Sequence, residues 1–313
     1  MKTLLQKTIK DHESNLYPVW LMRQAGRYMP EYMAMKEQSD GFLDMALTPW
    51  KAANITMQPI KEFDMDAAII FSDILVVNYA LGQELDYTPG PVLGKYDPSF
   101  FDTTPADFGV LCEPVYNAIQ LVRHELDDSK SLIGFVGAPY TIAKYMCGEA
   151  NLEATQKLVP YLIQHLAKQI EAGCDTVQIF DSHAGDISEE NFYDFVIAPT
   201  QQIVDAIRLH YPDVCIIAFP RLVGSNINKY IEIVNPDAIN ISDDLPIEEI
   251  NGEVIQGGIS VKTLIKGDDI TPILEKMKDR PYVVNLAHGI DKTTPVEHVR
   301  QFVNTVKSYR ENV

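Results

Sequence analysis

Short apolar runs recur along the chain, and each stops abruptly on small or polar residues. Residues 67–71 stop at Ser72 and Asp73, 131–136 at Gly137, Ala138 and Pro139, and 176–180 at Asp181, Ser182 and His183. Residues 215–219 stop at Pro220 and Arg221, 238–241 at Ser242 and Asp243, 253–256 at Gly257 and Gly258, and 282–286 at Ala287, His288 and Gly289. Runs of this length without polar alternation suit strands covered on both faces, as in a parallel sheet. The run 19–22, entered from Pro18 and ended by Arg23, brings the expected strands to eight.

Helical patterning fills most of the intervals, at 189–210, 226–234 and 270–279 among others. Thr48, Pro49 and Trp50 read as an N-cap followed by proline at the first helical position, opening a helix towards Phe63 with a break expected at Pro59. Val115, Ile119, Val122 and Leu126 mark the apolar stripe of another helix. Thr294, Pro295, Val296 and Glu297 read as a capping box before a last helix that turns Val299, Phe302, Val303 and Val306 inward. The connection 82–98, rich in Gly and Pro, reads as a flexible or lid-like insertion.

Alternation of this kind over 313 residues predicts an α/β fold, a (β/α)8 TIM barrel spanning 1–313 as a single domain, with a doubly wound open sheet as the alternative. Chemistry in such barrels sits at the carboxyl ends of the strands, which here carry Arg23, Asp73, Ser182, Arg221 and His288.

Composition then acts by exclusion. A formal net charge of −18 argues against a nucleic-acid or anionic-membrane partner, since both need basic surface. No run approaches the roughly 18 apolar residues of a membrane span, and the N-terminal MKTLLQKTIK is too short in apolar length for a secretory signal, so a cytoplasmic address is expected. Cys112, Cys147, Cys174 and Cys215 lack the spacing of a zinc site or a disulfide frame, so no metal is expected.

Residues 18–30, PVWLMRQAGRYMP, hold more polar chemistry than a strand end needs. Arg23 and Arg27 flank Gln24, Ala25 and Gly26, and at a spacing of four both guanidinium groups can reach one side of a turn or short helix. Each offers a planar fork of donors that matches a carboxylate, and Gly26 admits close approach of a ligand. The structural alternative is two surface arginines paired with acidic neighbours. For a polyanionic ligand the chain's negative field is an obstacle that only a local basic mouth can reverse, within a Debye length of about 8 Å.

PVWLMRQAGRYMPEY, AAIIFSDIL, LIGFVGAPYTIAKYM, FDSHAG and NLAHGI, in this order, resemble the motifs of the uroporphyrinogen decarboxylase family. The resemblance runs in patches from residue 18 to about 300. It implies an enzyme free of cofactor and metal, usually a homodimer, that removes CO2 from the four acetate arms of uroporphyrinogen III to leave the methyls of coproporphyrinogen III. Carried over by motif, Arg23, Gln24, Ala25, Gly26 and Arg27 would grip substrate carboxylates, with Arg23 and Asp73 catalytic and Asp73 beneath the pyrrole N–H groups. Tyr145, Ser182 and His288 would complete the cleft. The chain departs from the family at QGGISV (256–261), FPRLVG (219–224) and NLAHGI (285–290). Two other readings stay open: a zinc-dependent corrinoid or thiol methyltransferase of the same fold, and a non-catalytic tetrapyrrole-binding paralogue.

Overall fold

The computed structural model describes residues 2–88, 90–243, 245, 247, 250–252 and 254–313. Among them, seven strands form one parallel sheet whose spatial order follows the chain: β1 (Ala67–Ile69), β2 (Ser131–Gly137), β3 (Thr176–Asp181), β4 (Cys215–Pro220), β5 (Ala238–Ile241), β6 (Ile255–Gly257) and β7 (Tyr282–Val283). Every ladder is parallel, from Ile69 opposite Ile133 to Gln256 opposite Val283. Helices cover the outside, including Pro49–Phe63, Pro105–Glu125, Leu152–Glu171, Ala198–His210 and Val296–Asn312. The apolar run around 253–256 becomes β6, and its first residue lies outside the described residues.

The run 19–22 is not a full strand. Val19 makes an isolated parallel bridge to Val284, just past β7. On its other side, its amide donates to the Asp66 carboxylate at 2.8 Å and its carbonyl accepts from Asp66 N at 2.9 Å, just before β1. The segment therefore spans the gap between the two edges of a curled sheet.

Period-two alternation sorts the strand residues into two cores. Outward residues such as Ile216 and Ala218 pack under the helices. Inward residues Ala67, Ile133, Cys215, Ile217, Phe219, Ala238 and Val283 form a second apolar cluster with Trp20 and Met22. The helix Leu4–Lys10, opened by a capping box between Thr3 and Gln6, puts Leu5 and Ile9 into that cluster. Midway lies a buried polar layer. Trp20 Nε1 donates to Gln256 Oε1 at 3.0 Å, and Gln256 Nε2 donates to Gln178 Oε1 and Asn240 Oδ1, both at 2.9 Å. Each amide is matched inside the sheet, which is how polar groups survive there.

Several local expectations change. The helix at Pro49 runs through Pro59 without a break, ending where Asp64 turns left-handed at φ 54° and returns its N–H to Ile60. The Thr294 capping box does not form. Pro295 takes the N-cap position one residue later, leaving the Thr294 hydroxyl buried without a partner and Glu297 paired with Arg300. The 82–98 connection is folded back on itself by a short antiparallel ladder, Leu85–Asp86 with Val92–Leu93. Buried Gln83 anchors it, donating to Gly94 O at 2.8 Å and Met146 O at 2.9 Å.

Candidate active site

The candidate residues lie towards the carboxyl end of the sheet, most of them just past a strand or the bridging segment and Tyr145 on the helix that follows β2, above apolar side chains that remain partly exposed. Ile69 and Phe180 belong to the inward cluster yet remain partly exposed, and the Phe180 ring meets Phe135 edge-on at 5.6 Å and Phe219 at 6.3 Å.

Arg23 follows the 19–22 segment in a tight turn closed by Gln24 N to Leu21 O at 3.0 Å, and takes φ 58°, unusual for a side chain with a Cβ. RQAGR is thus a pair of turns, not a helix, with a second turn closed from Met29 N to Gly26 O at 2.9 Å. Gln24 is buried: its Oε1 accepts from Leu21 N and its Nε2 donates to Ala67 O. The Arg23 side chain lies across Gly289, where an added Cβ would stand 2.4 Å from Arg23 Cδ. Absence of a side chain at Gly289 is what leaves room for the guanidinium. Gly26 is close beneath as well, its position for a Cβ being 3.3 Å from the Arg23 carbonyl.

Asp73 sits two residues past the apolar run of β1. Its Oδ1 accepts from Leu75 N at 2.8 Å, an Asx-turn that orients the side chain without capping the helix Val76–Ala80, whose N-cap is Leu75. Asp73 keeps some surface open to the cleft, but the surrounding atoms desolvate it, and this raises its carboxyl above the usual range. The Leu75 amide, the Tyr87 hydroxyl and the Arg23 guanidinium act in the opposite direction. Tyr87 comes from the 82–98 insertion and stacks on Phe42 at 4.4 Å. Its hydroxyl is buried and faces Asp73, close enough to lower that carboxyl though short of good hydrogen-bond geometry.

His288 follows β7, half-buried. Burial first, then the nearby Arg23 and Arg221 guanidinium groups, hold its imidazole below the usual range, so it stands neutral near pH 7. Arg23 thus lies within electrostatic reach of both Asp73 and His288. Tyr145, on the helix Pro139–Cys147, packs edge-on against His183 at 5.0 Å and lies within electrostatic reach of Tyr87. His183 is held by Asp186 at 2.6 Å, and Lys144 holds the same carboxylate at 2.7 Å. Ser182, directly after β3, is half-buried with no hydrogen bond among the described residues. Ala25 is half-buried, and Arg27 is exposed one turn further along.

The arginines divide sharply. Arg123, Arg208, Arg300 and Arg310 are paired with carboxylates, and Arg280 donates to the carbonyls of Ile247 and Ile250. Arg23, Arg27 and Arg221 have no acceptor among the described residues, in a chain with 44 acidic side chains. All three are at the carboxyl end of the sheet. Tyr87 had no sequence signal that set it apart as a cleft residue, since it arrives on an insertion; Gly289 stands in the NLAHGI motif, but its action through lacking a side chain shows only in its packing against Arg23.

A family profile described as uroporphyrinogen decarboxylase (URO-D) matches residues 1–309. The chain is 38% identical to a uroporphyrinogen decarboxylase of Rickettsia bellii, covering 98% of this chain and 99% of that protein. It is 36% identical to one from Orientia tsutsugamushi, covering 95% and 96%. In fold it is similar to a methyltransferase from Methanosarcina mazei, with a TM-score of 0.79 over 99% of each chain at 15% identity. Matched by the profile and by these relatives over nearly its whole length, the chain belongs to the uroporphyrinogen decarboxylase family.

Proposed function

We propose that this protein decarboxylates the four acetate arms of uroporphyrinogen III to methyls, giving coproporphyrinogen III. The observation that carries the reading is the position of Asp73, a desolvated carboxylate at a strand end beside unpaired Arg23. An acetate on a pyrrole loses CO2 readily once a proton has added to a ring α-carbon, making an iminium-like cation. The carbon–carboxylate bond then breaks, its electron pair enters the ring, CO2 departs, the exocyclic carbon takes up a proton to become methyl, and the proton added at the ring α-carbon leaves, restoring the neutral pyrrole. Each turnover consumes one proton net and needs no oxidant or reductant.

The barrier lies in creating positive charge on the macrocycle, and a fixed carboxylate facing the pyrrole N–H groups is its electrostatic complement. Asp73 takes that role, preoriented by the Leu75 amide. Arg23 and Arg27 bind carboxylates, and Arg23 is a poor proton donor because guanidinium stays charged, so the proton reaches the ring through water or substrate. Neutral His288, Tyr145 and Ser182 offer hydrogen bonds to carboxylate arms, while Gln24 holds the turn that presents Arg23 and Ala25. The apolar floor suits the faces of pyrrole rings.

The same reading places segment 18–22 as the eighth position of a closed (β/α)8 barrel, with residues 1–313 as one domain, and the enzyme as a cytoplasmic homodimer needing no cofactor or metal. Sedimentation of the purified protein tests the dimer. A zinc methyltransferase would need thiolate and imidazole ligands at the strand ends. Cys174 and Cys215 instead lie buried at the opposite, amino ends of β3 and β4.

The test is anaerobic incubation with reduced uroporphyrinogen, then oxidation and chromatography to count carboxylates. Heptacarboxylate to tetracarboxylate products are expected. Octacarboxylate left unchanged by folded protein would falsify the assignment.

A further inference from the structure

We propose that Arg221 is a further substrate-binding residue, a carboxylate anchor across the cleft from Arg23, so that the site recognises a molecule bearing carboxylates on opposite sides of a macrocycle-sized framework. The identity of that molecule rests on the function proposed above, whereas the placement of Arg221 does not.

Topology sets the two guanidinium groups opposite each other. Arg23 leaves the segment that spans the sheet's two edges, while Arg221 leaves β4, the middle strand of the sheet order. When the edges of a curled sheet approach a shared segment, the middle strand forms the far wall. His288 feels both guanidinium groups, so both reach the same cleft.

The backbone around Arg221 is fixed tightly on both sides. Arg221 N donates to Asp181 O at 3.0 Å and Gly185 N donates to Arg221 O at 3.0 Å, tying the end of β4 to the loop after β3. Leu222 follows at φ 58°, and a Cβ at Gly185 would lie 2.2 Å from the Leu222 carbonyl. Left-handed backbone at a leucine persists only where its surroundings impose it. The segment aims Arg221 yet gives its half-buried guanidinium no acceptor among the described residues. Arg123, Arg208, Arg280, Arg300 and Arg310 are all partnered, and a half-buried cation left without a partner is poised for an anionic ligand.

The experiment compares wild type with Arg221→Gln and Arg221→Lys, and with Lys229→Gln as a control that removes one charge from an exposed position. With uroporphyrinogen as substrate, Arg221→Gln is expected to raise KM about tenfold, with kcat within about threefold, as for loss of one charge-assisted contact made equally in ground and transition states. Arg221→Lys should recover part of the loss, and Lys229→Gln should match wild type. Fluorescence titration with oxidised uroporphyrin, an octacarboxylate that is not turned over, reads the same contact without catalysis, and Arg221→Gln should weaken it by a similar factor. In the ligand-free protein, NMR titration of His288 should move upward in Arg221→Gln, which reports that the guanidinium stands near His288. A KM and a uroporphyrin affinity within twofold of wild type in Arg221→Gln would overturn the proposal. Absence of turnover in wild type would instead overturn the decarboxylase assignment, with uroporphyrin binding still deciding the role of Arg221.

Discussion

Asp73 and Gly289 act on the cleft by opposite means, one by charge and one by absence. Asp73 is held by a single backbone amide and is otherwise desolvated, so Asp73→Asn preserves shape and removes charge. Substrate binding should persist while kcat falls about 10²- to 10³-fold, the usual cost of removing one preorganised electrostatic group. Single-turnover kinetics checks this, and near-normal turnover would take Asp73 out of the mechanism. Gly289→Ala tests the seat of Arg23. Its Cβ would collide with the Arg23 side chain at 2.4 Å, and the flexible end of that side chain must swing aside. We expect kcat/KM to fall about tenfold or more, by loss of the aimed charge-assisted contact, with thermal stability little changed. An unaltered KM would mean that Arg23 binds nothing from that position.

Strand β3 and the helix Pro139–Cys147 meet over a buried carboxyl. Asp181 accepts from Thr141 Oγ1 at 2.5 Å, and Thr141 Oγ1 in turn accepts from His183 N at 3.0 Å, so this chain of bonds holds the loop carrying Ser182. The second Asp181 oxygen is buried without a partner. Burial above all, with a smaller contribution from Asp186, pushes Asp181 up from 3.8 to about 7. A folded value above the unfolded one means that the protonated form is favoured in the fold. Its stabilisation is full below about pH 3.8 and is lost as pH rises through about 7. Asp181→Asn cannot ionise and should be more stable than wild type at pH 8, by up to roughly 4 kcal/mol, since each tenfold change in acidity between the folded and unfolded states corresponds to about 1.4 kcal/mol. The two should converge near pH 4. Thermal melts across that range measure the difference, and a gap independent of pH would show that Asp181 does not titrate there.

Over the whole protein, the net charge of −18 should repel a polyanionic substrate, and the cleft opposes this with Arg23, Arg27 and Arg221, none of them in an ion pair among the described residues. Local cations dominate within a Debye length of about 8 Å at physiological salt. We therefore expect kcat/KM for uroporphyrinogen to fall as ionic strength rises, measured with sodium chloride at constant pH. A rise would mean that the global field governs capture.

The strands after the first run were legible because continuous apolar sequence is a local property, and burial on both faces of a parallel sheet demands it wherever the strand lies. For the same reason the strand ends were legible, and with them Arg23, Asp73, Ser182 and His288. Pairing is not local. Whether 19–22 became a strand or a bridge depended on Asp66 and Val284, distant in sequence, and Gln24 was drawn inward by Ala67. Thr294 lost its capping role because Pro295 had already taken the turn. The chain's own order of residues settled where polarity interrupts hydrophobic runs, and therefore which side chains leave the sheet at its carboxyl end. Packing in three dimensions settled which of those charges meet a partner, because desolvation and ion pairing are set by neighbours that the linear pattern does not contain.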